Sequence, residues 1–301
     1  GLATTVGIPL GTSWVSPVTT TSVRDSTLDG TNNGATTGIT GKIGNSWDFD
    51  STDYVTVGDD TTFSFINNPS QVTTVSFWYK SDTSPSGNYD PIMGTTDVSL
   101  ADRGFEINRW QSSGAGIIEL TEAGGNKALD DFITNTGLFP VDSTWYHYMF
   151  IFDDVNSELK MYKDNSLFQT ANYNSWTPTT DTATVHALQI NKDTSNSAYA
   201  NFEMDQLIIY DAGLDSTARG NLYNSGSGDS TPDTTNMVLH YDFEQTGSTL
   251  ENQIFSPAPY TTNISGTLDE FFINSDTLTA TEIAGMSARG VDDWSILANP
   301  N

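Results

Sequence analysis

Residues 145–152 read Trp-Tyr-His-Tyr-Met-Phe-Ile-Phe. Both parities of this run are apolar or aromatic, and the run is too short for an ordinary core helix. Such a segment fits a strand buried on both faces inside a layered β structure. Other stretches alternate with period two. Asn45–Val57 carries Trp47, Phe49, Tyr54, Val55 and Val57, and Val72–Lys80 sets Val75, Phe77 and Tyr79 on one face with Trp78 on the other. Pro91–Gly94, Gly104–Asn108, Gly116–Leu120, Glu158–Tyr162, Ala187–Asn191, Met204–Tyr210 and Met237–Glu244 read as further strands. Residues 30–44 read as a Gly-dense loop. The one helical stretch is Ser216–Tyr223, with Ser216 as N-cap.

Composition agrees with an all-β reading. The aromatics (15 Phe, 12 Tyr, 7 Trp) can fill a core, while charged residues are only 16% of the chain. Its polarity comes instead from Thr, which favours strands, and from Asn, Asp, Ser and Gly, which favour turns. The 38 acids against 11 Lys+Arg give a net charge of −27. That field repels phosphate backbones and anionic lipid, so neither nucleic acid nor a membrane surface is an expected partner. The acidity serves solubility in saline water, where salt screens self-repulsion, or it binds divalent cations. There is no cysteine, which excludes thiol catalysis, disulfides and zinc–thiolate sites. No apolar run approaches the roughly 20 residues of a membrane-spanning helix.

One closing pattern occurs twice: Asp205-Gln206-Leu207-Ile208-Ile209-Tyr210 leading to Leu214, and Asp269-Glu270-Phe271-Phe272-Ile273-Asn274 leading to Leu278. A repeated ending implies a second domain or the stub of one. The organisation read from this is an extended arm over 1–29, a main domain over 30–225, a Gly/Ser-rich linker over 226–236 and a partial second copy over 237–301.

Several stretches, in order, resemble the laminin-G-like, concanavalin-A-like lectin/glucanase jelly rolls. They are Gly41–Asp50 with Asp53–Val57, Val75–Lys80, Trp145–His147 with Phe152-Asp153 and Leu159–Asn165, and Met204–Tyr210 with Leu214. The resemblance implies an antiparallel two-sheet jelly-roll sandwich with a small C-terminal β appendage. The family's usual first strand, of the type apolar-His/Tyr-Tyr-Asp-Phe, is missing from residues 1–29. It occurs instead at Val238-Leu239-His240-Tyr241-Asp242-Phe243. Residues 237–244 are therefore expected either to add to the main sandwich beside 204–210, or to belong to a small unit packed loosely on its side.

The resemblance also frames the chemistry. Some relatives hydrolyse glycans with a Glu-x-Asp-x-(x)-Glu strand. Here the nearest match, Glu203-Met204-Asp205, lacks the second Glu, so the protein is expected not to be an enzyme. His147, His186 and His240 form no metal-type pair, and no Gly-x-Ser-x-Gly elbow occurs. Relatives bind calcium through loop carboxylates. The candidates are Asp48, Asp50 and Asp53, then Asp153, Asp154 and Asn156, then Asp130 with Asp131, and none has EF-hand spacing. Sugar binding in such folds uses aromatic faces flanked by polar groups. The best local cluster is Tyr89, Asp90, Arg103, Arg109 and Trp110. Against it stands a bland reading, in which Trp110 closes the core and the arginines neutralise nearby acids.

The leading expectation is a non-enzymatic structural or adhesive protein of an extracellular assembly: a virion exterior, a surface layer or a filament. Its terminal arm and spare strands would join copies of the chain or other subunits. The alternative is a secreted carbohydrate-binding module, with calcium as its one candidate cofactor.

Overall fold

A computed structural model describes residues 23–256 apart from 25, 51, 60–61, 64, 67–69, 82–88, 96–103, 111–113, 122–126, 174–185 and 194–197. The expected arm before residue 23 and the second closing pattern at 269–278 lie outside the described residues. In chain order the strands are β1 (Val23–Arg24), β2 (Gly30–Asn33), β3 (Thr36–Thr40), β4 (Asn45–Phe49), β5 (Tyr54–Val57), β6 (Val72–Ser81), β7 (Tyr89–Gly94), β8 (Gly104–Trp110), β9 (Ala115–Thr121), β10 (Lys127–Ile133), β11 (Tyr146–Asp153), β12 (Glu158–Lys163), β13 (Ser166–Asn172), β14 (Leu188–Ile190), β15 (Phe202–Tyr210), β16 (Met237–Tyr241), β17 (Thr249–Leu250) and β18 (Phe255–Ser256). A helix, α1 (Ser216–Tyr223), follows β15.

Two antiparallel sheets form the sandwich. The first runs β10-β9-β8-β7-β14-β5-β2-β17, and the second runs β13-β12-β11-β6-β15-β4-β3 with β16 also beside β15. Trp47, Phe49, Phe77, Tyr79, Phe105, Tyr148, Phe150, Phe152 and Phe202 fill the space between them. β11 is buried on both faces, as its sequence requires. Tyr148, Phe150 and Phe152 enter this main core. Met149 and Ile151 face outward, into a second cluster with Tyr162, Ile208, Tyr210 and Leu222 of α1.

Strand β15 uses one edge twice. Phe202–Met204 pair with Phe49–Trp47 of β4, and Leu207–Tyr210 pair with Tyr241–Met237 of β16. Between them Gln206 takes φ 51°, where the register against β6 also shifts. The chain then crosses to the first sheet, where β17 pairs Thr249 and Leu250 with Thr31 and Gly30. Leu239, Tyr241, Phe243 and Leu250 are all buried in the main core, each contributing roughly 1.5–3 kcal/mol of apolar burial. Residues 237–250 are thus part of the sandwich.

Several details differ from expectation, and β10 at Lys127–Ile133 lies outside every strand read from the sequence. Residues 30–44 hold β2 and β3; β3 has an alternating exposed and half-buried pattern, so its apolar signal is weak. β13 went unread for the same reason: Ser-Leu-Phe-Gln-Thr-Ala-Asn is largely polar and largely exposed. The N-cap of α1 is Asp215 rather than Ser216, because the Asp215 carboxylate accepts the backbone N–H of both Thr217 and Ala218 at 2.9 Å.

Candidate functional site

Tyr89 and Trp110 pair directly across β7 and β8. Their rings meet edge to face at 4.9 Å, with Tyr89 40% exposed and Trp110 half-buried. The next cross-strand pair is Asp90 and Arg109, and both are fully buried. Arg109 Nη2 and Nε donate to Asp90 Oδ2 at 2.6 and 3.2 Å, and Nη1 donates to Ser81 Oγ on β6 of the other sheet. This corrects part of the sequence reading. Asp90 and Arg109 were expected among the ligand-facing groups, but they point inward and satisfy each other, because a buried charge must be paired. The Arg109–Ser81 bond ties the two sheets together behind the aromatic pair. Arg103 lies outside the described residues.

The outer face of the first sheet carries a polar row that the sequence did not announce. Thr31, Thr56, Gln189, Gly94, Glu106 and Glu119 stand in register across β2, β5, β14, β7, β8 and β9. Thr56 Oγ1 donates to Gln189 Oε1 at 3.0 Å. Gly94 leaves room for its neighbour: an added Cβ would lie 3.2 Å from Glu106 Cγ and 2.8 Å from the Phe105 carbonyl oxygen. Glu106 and Glu119 are only 6% and 3% exposed. Near one end of this face a second aromatic pair, Tyr54 and Tyr199, has ring centroids 6.3 Å apart, with Lys192 Nζ 4.1 Å from the Tyr54 ring. Sequence reasoning missed both features, since each depends on register and not on spacing. A polar cleft of about 440 Å³, lined by Thr27, Asp29, Thr31, Thr56, Asp59 and Thr62 among others, opens near the other end.

The remaining candidates serve structure. Glu203 forms an ion pair with Lys80. Asp205 is fully buried, accepts the Ile43 N–H at 2.8 Å, and is pushed up to about 8 by desolvation. His147 sits 2.8 Å from Ser76 Oγ, and burial lowers it to about 3. His240 lies 3.2 Å from Gln206 Oε1 and is also lowered by burial. His186 uses its backbone N–H on the Thr95 carbonyl. Among the described loop carboxylates, three of the calcium candidates are engaged within the fold. Asp53 accepts the Asp50 N–H, Asp153 accepts two bonds from Asn156, and Asp154 accepts the Tyr173 hydroxyl. Among the described residues no three His, Asp or Glu side chains converge as metal ligands. The side chains of Asp130 and Asp131 lie outside the described set.

Residues 49–218 match the laminin-G-type family model described as the concanavalin A-like lectin/glucanases superfamily. The chain belongs to this family. Among solved structures, this lectin/glucanase-type chain is similar to the binding domain of Paraclostridial Mosquitocidal Protein 1, with a TM-score of 0.50, 14% identity, and coverage of 66% of this chain and 48% of that one. It is also similar to the botulinum neurotoxin serotype C1 binding domain, with a TM-score of 0.48, 13% identity, and coverage of 65% and 47%. It therefore spans about half the length of each of these solved chains. A search of curated proteins finds no match. The family description names both lectins and glucanases, and no described helix is long and apolar enough to cross a membrane.

Proposed function

We propose that this protein is a non-enzymatic adhesive protein that holds a glycan on the Tyr89–Trp110 surface and works outside the cell, in a virion exterior, surface layer or filament. The observation that carries this is the partly exposed aromatic pair braced from below by a buried ion pair. A sugar ring stacks on an aromatic face, and a site fixed by packed and paired neighbours loses little entropy on binding. The carboxylates do not favour glycoside hydrolysis. Glu203 and Asp205 are held by Lys80 and by the Ile43 N–H, while Glu106 and Glu119 are almost shielded from solvent. Hydrolysis needs one carboxyl group on each side of an accessible glycosidic bond.

The assembly role is supported by β13, an edge strand without a charged residue on which Leu167 is 56% exposed. Soluble proteins usually blunt such edges with charge, and this chain has 38 acids to draw on. Light scattering of the wild type and Leu167→Glu tests this role: an oligomer dissociated by the substitution supports it, and a monomeric wild type contradicts it. The glycan reading is tested by screening the wild type and the Tyr89→Ala/Trp110→Ala double variant on a neutral glycan panel. Binding lost in the double variant is expected, and wild-type binding that survives in it would refute the assignment.

A further inference from the structure

Strands β16 and β17 fill a slot that the sandwich leaves open until residue 237. Without them, Leu207–Tyr210 of β15 and Gly30–Thr31 of β2 would present unpaired edges. Side chains anchor the segment as well. Trp47 Nε1 donates to the Gln245 carbonyl at 3.0 Å, and the Tyr241 hydroxyl donates to the Leu28 carbonyl at 2.5 Å. Glu244 accepts the backbone and side-chain N–H groups of Asn45, each at 3.0 Å. Leu239, Tyr241, Phe243 and Leu250 lie in the main core. The pairing and hydrogen-bonding partners named here all belong to residues 28–210, so the same contacts form if the segment comes from another copy.

The connector between α1 and β16, residues 224–236, is unlike the segment it carries. No residue of it joins either apolar cluster. It turns back through Asn224 at φ 45°, Ser225 at φ 53°, Gly226 at φ 87°, Gly228 at φ 77° and Asn236 at φ 59°. Glycine and asparagine accept that left-handed region, but Ser225 is strained there. Opening the connector releases this strain while β16 keeps its pairing in the new partner. Extended, residues 224–236 span up to roughly 45 Å, enough to reach the slot of a neighbouring copy.

We propose that copies of this chain exchange residues 237–250, each laying its β16 and β17 into the slot of another copy. This rests on the assembly reading above and names an element that joins the copies, separate from β13. Reciprocal exchange closes a dimer, and one-way exchange runs on into a filament. Each copy carries a net charge of −27, so exchange is favoured where salt screens the repulsion. The connector holds the closed form at an effective concentration on the order of millimolar, so exchange competes when the protein itself is that concentrated.

The chain has no cysteine, so one engineered disulfide reports which copy supplies β17. Thr31 and Thr249 are exposed and directly paired across β2 and β17. Direct antiparallel partners stand about 4.5–5.5 Å apart, within disulfide reach. The full-length Thr31→Cys/Thr249→Cys variant is refolded in about 1 M salt, at about 10 µM and at about 1 mM. It is then oxidised and run on a denaturing gel without reductant. The share of chains linked to one another should rise at least about fivefold between the two concentrations. Adding Ser225→Gly, which relieves the strain of the closed connector, should lower that share at least about twofold. Equal linking by Thr249→Cys alone would mark chance collision and overturn the exchange. Oligomers whose disulfides lie wholly within chains would overturn the exchange and leave the β13 contact standing. A monomer at both concentrations would overturn the exchange and the assembly reading together.

Discussion

Replacing Asp205 by Asn should remove most of one pH dependence from the stability of this protein. Asp205 is fully buried where β15 changes partner, and its Oδ1 has no hydrogen-bond partner among the described residues. Desolvation raises its carboxyl from 3.8 to about 8, although backbone N–H groups of Ile43, Lys42 and Gln206 oppose this. In the unfolded chain the group ionises near 3.8, so folding takes up a proton between those two values. The contribution is therefore full below 3.8 and is lost as pH rises through about 8, at no more than about 1.4 kcal/mol per pH unit. Between pH 6 and pH 8 the loss is about 2 kcal/mol. Asn is neutral throughout and keeps an oxygen for the Ile43 N–H. Urea unfolding followed by tryptophan fluorescence, at intervals from pH 5 to pH 9, gives both stability curves. The variant should gain on the wild type by about 2 kcal/mol from pH 6 to pH 8. Parallel curves would mean that Asp205 is already ionised in the fold, and would refute the reasoning.

Breaking the buried pair with Arg109→Ala should cost about 3–5 kcal/mol, since Asp90 loses its buried counter-charge; Arg109→Met with Asp90→Leu should cost much less. Urea midpoints of the three proteins check this. His147 is held neutral, so its contribution is present above about 6.5 and is lost as pH falls toward 3; acid unfolding of His147→Gln should be shallower over that range by circular dichroism. Ending the chain at Asn236 removes Leu239, Tyr241, Phe243 and Leu250 from the core. Their summed burial, roughly 6–12 kcal/mol, rivals the net stability of a typical domain. The truncated chain should not fold, and a cooperative melt matching the full chain would contradict the strand pairing of β16.

The sandwich was legible because its central strands carry their environment in their residues. β11 is apolar at both parities and is covered on both faces. Trp78 shows where that reasoning stopped. Alternation put it opposite the core, yet it is 2% exposed, because Tyr223 of α1 stacks on it at 6.0 Å and Lys42 lies 4.6 Å from its ring. What covers an outer face is set by connections distant in sequence, and a local pattern does not encode them. The candidate site divides in the same way. Tyr89 and Trp110 were visible as aromatics in a polar neighbourhood. The inward turn of Asp90 and Arg109 follows from pairing across 19 residues, and the Tyr54–Tyr199 pair joins two rings far apart in the chain.

The location of the ligand is the central claim, and hydrogen exchange read by mass spectrometry tests it directly. The full chain is compared with and without the best-binding oligosaccharide. Added protection should fall in peptides covering 89–94 and 104–110, on the first sheet. Protection confined to 72–81, 146–153 and 202–210, on the other sheet, would contradict the account.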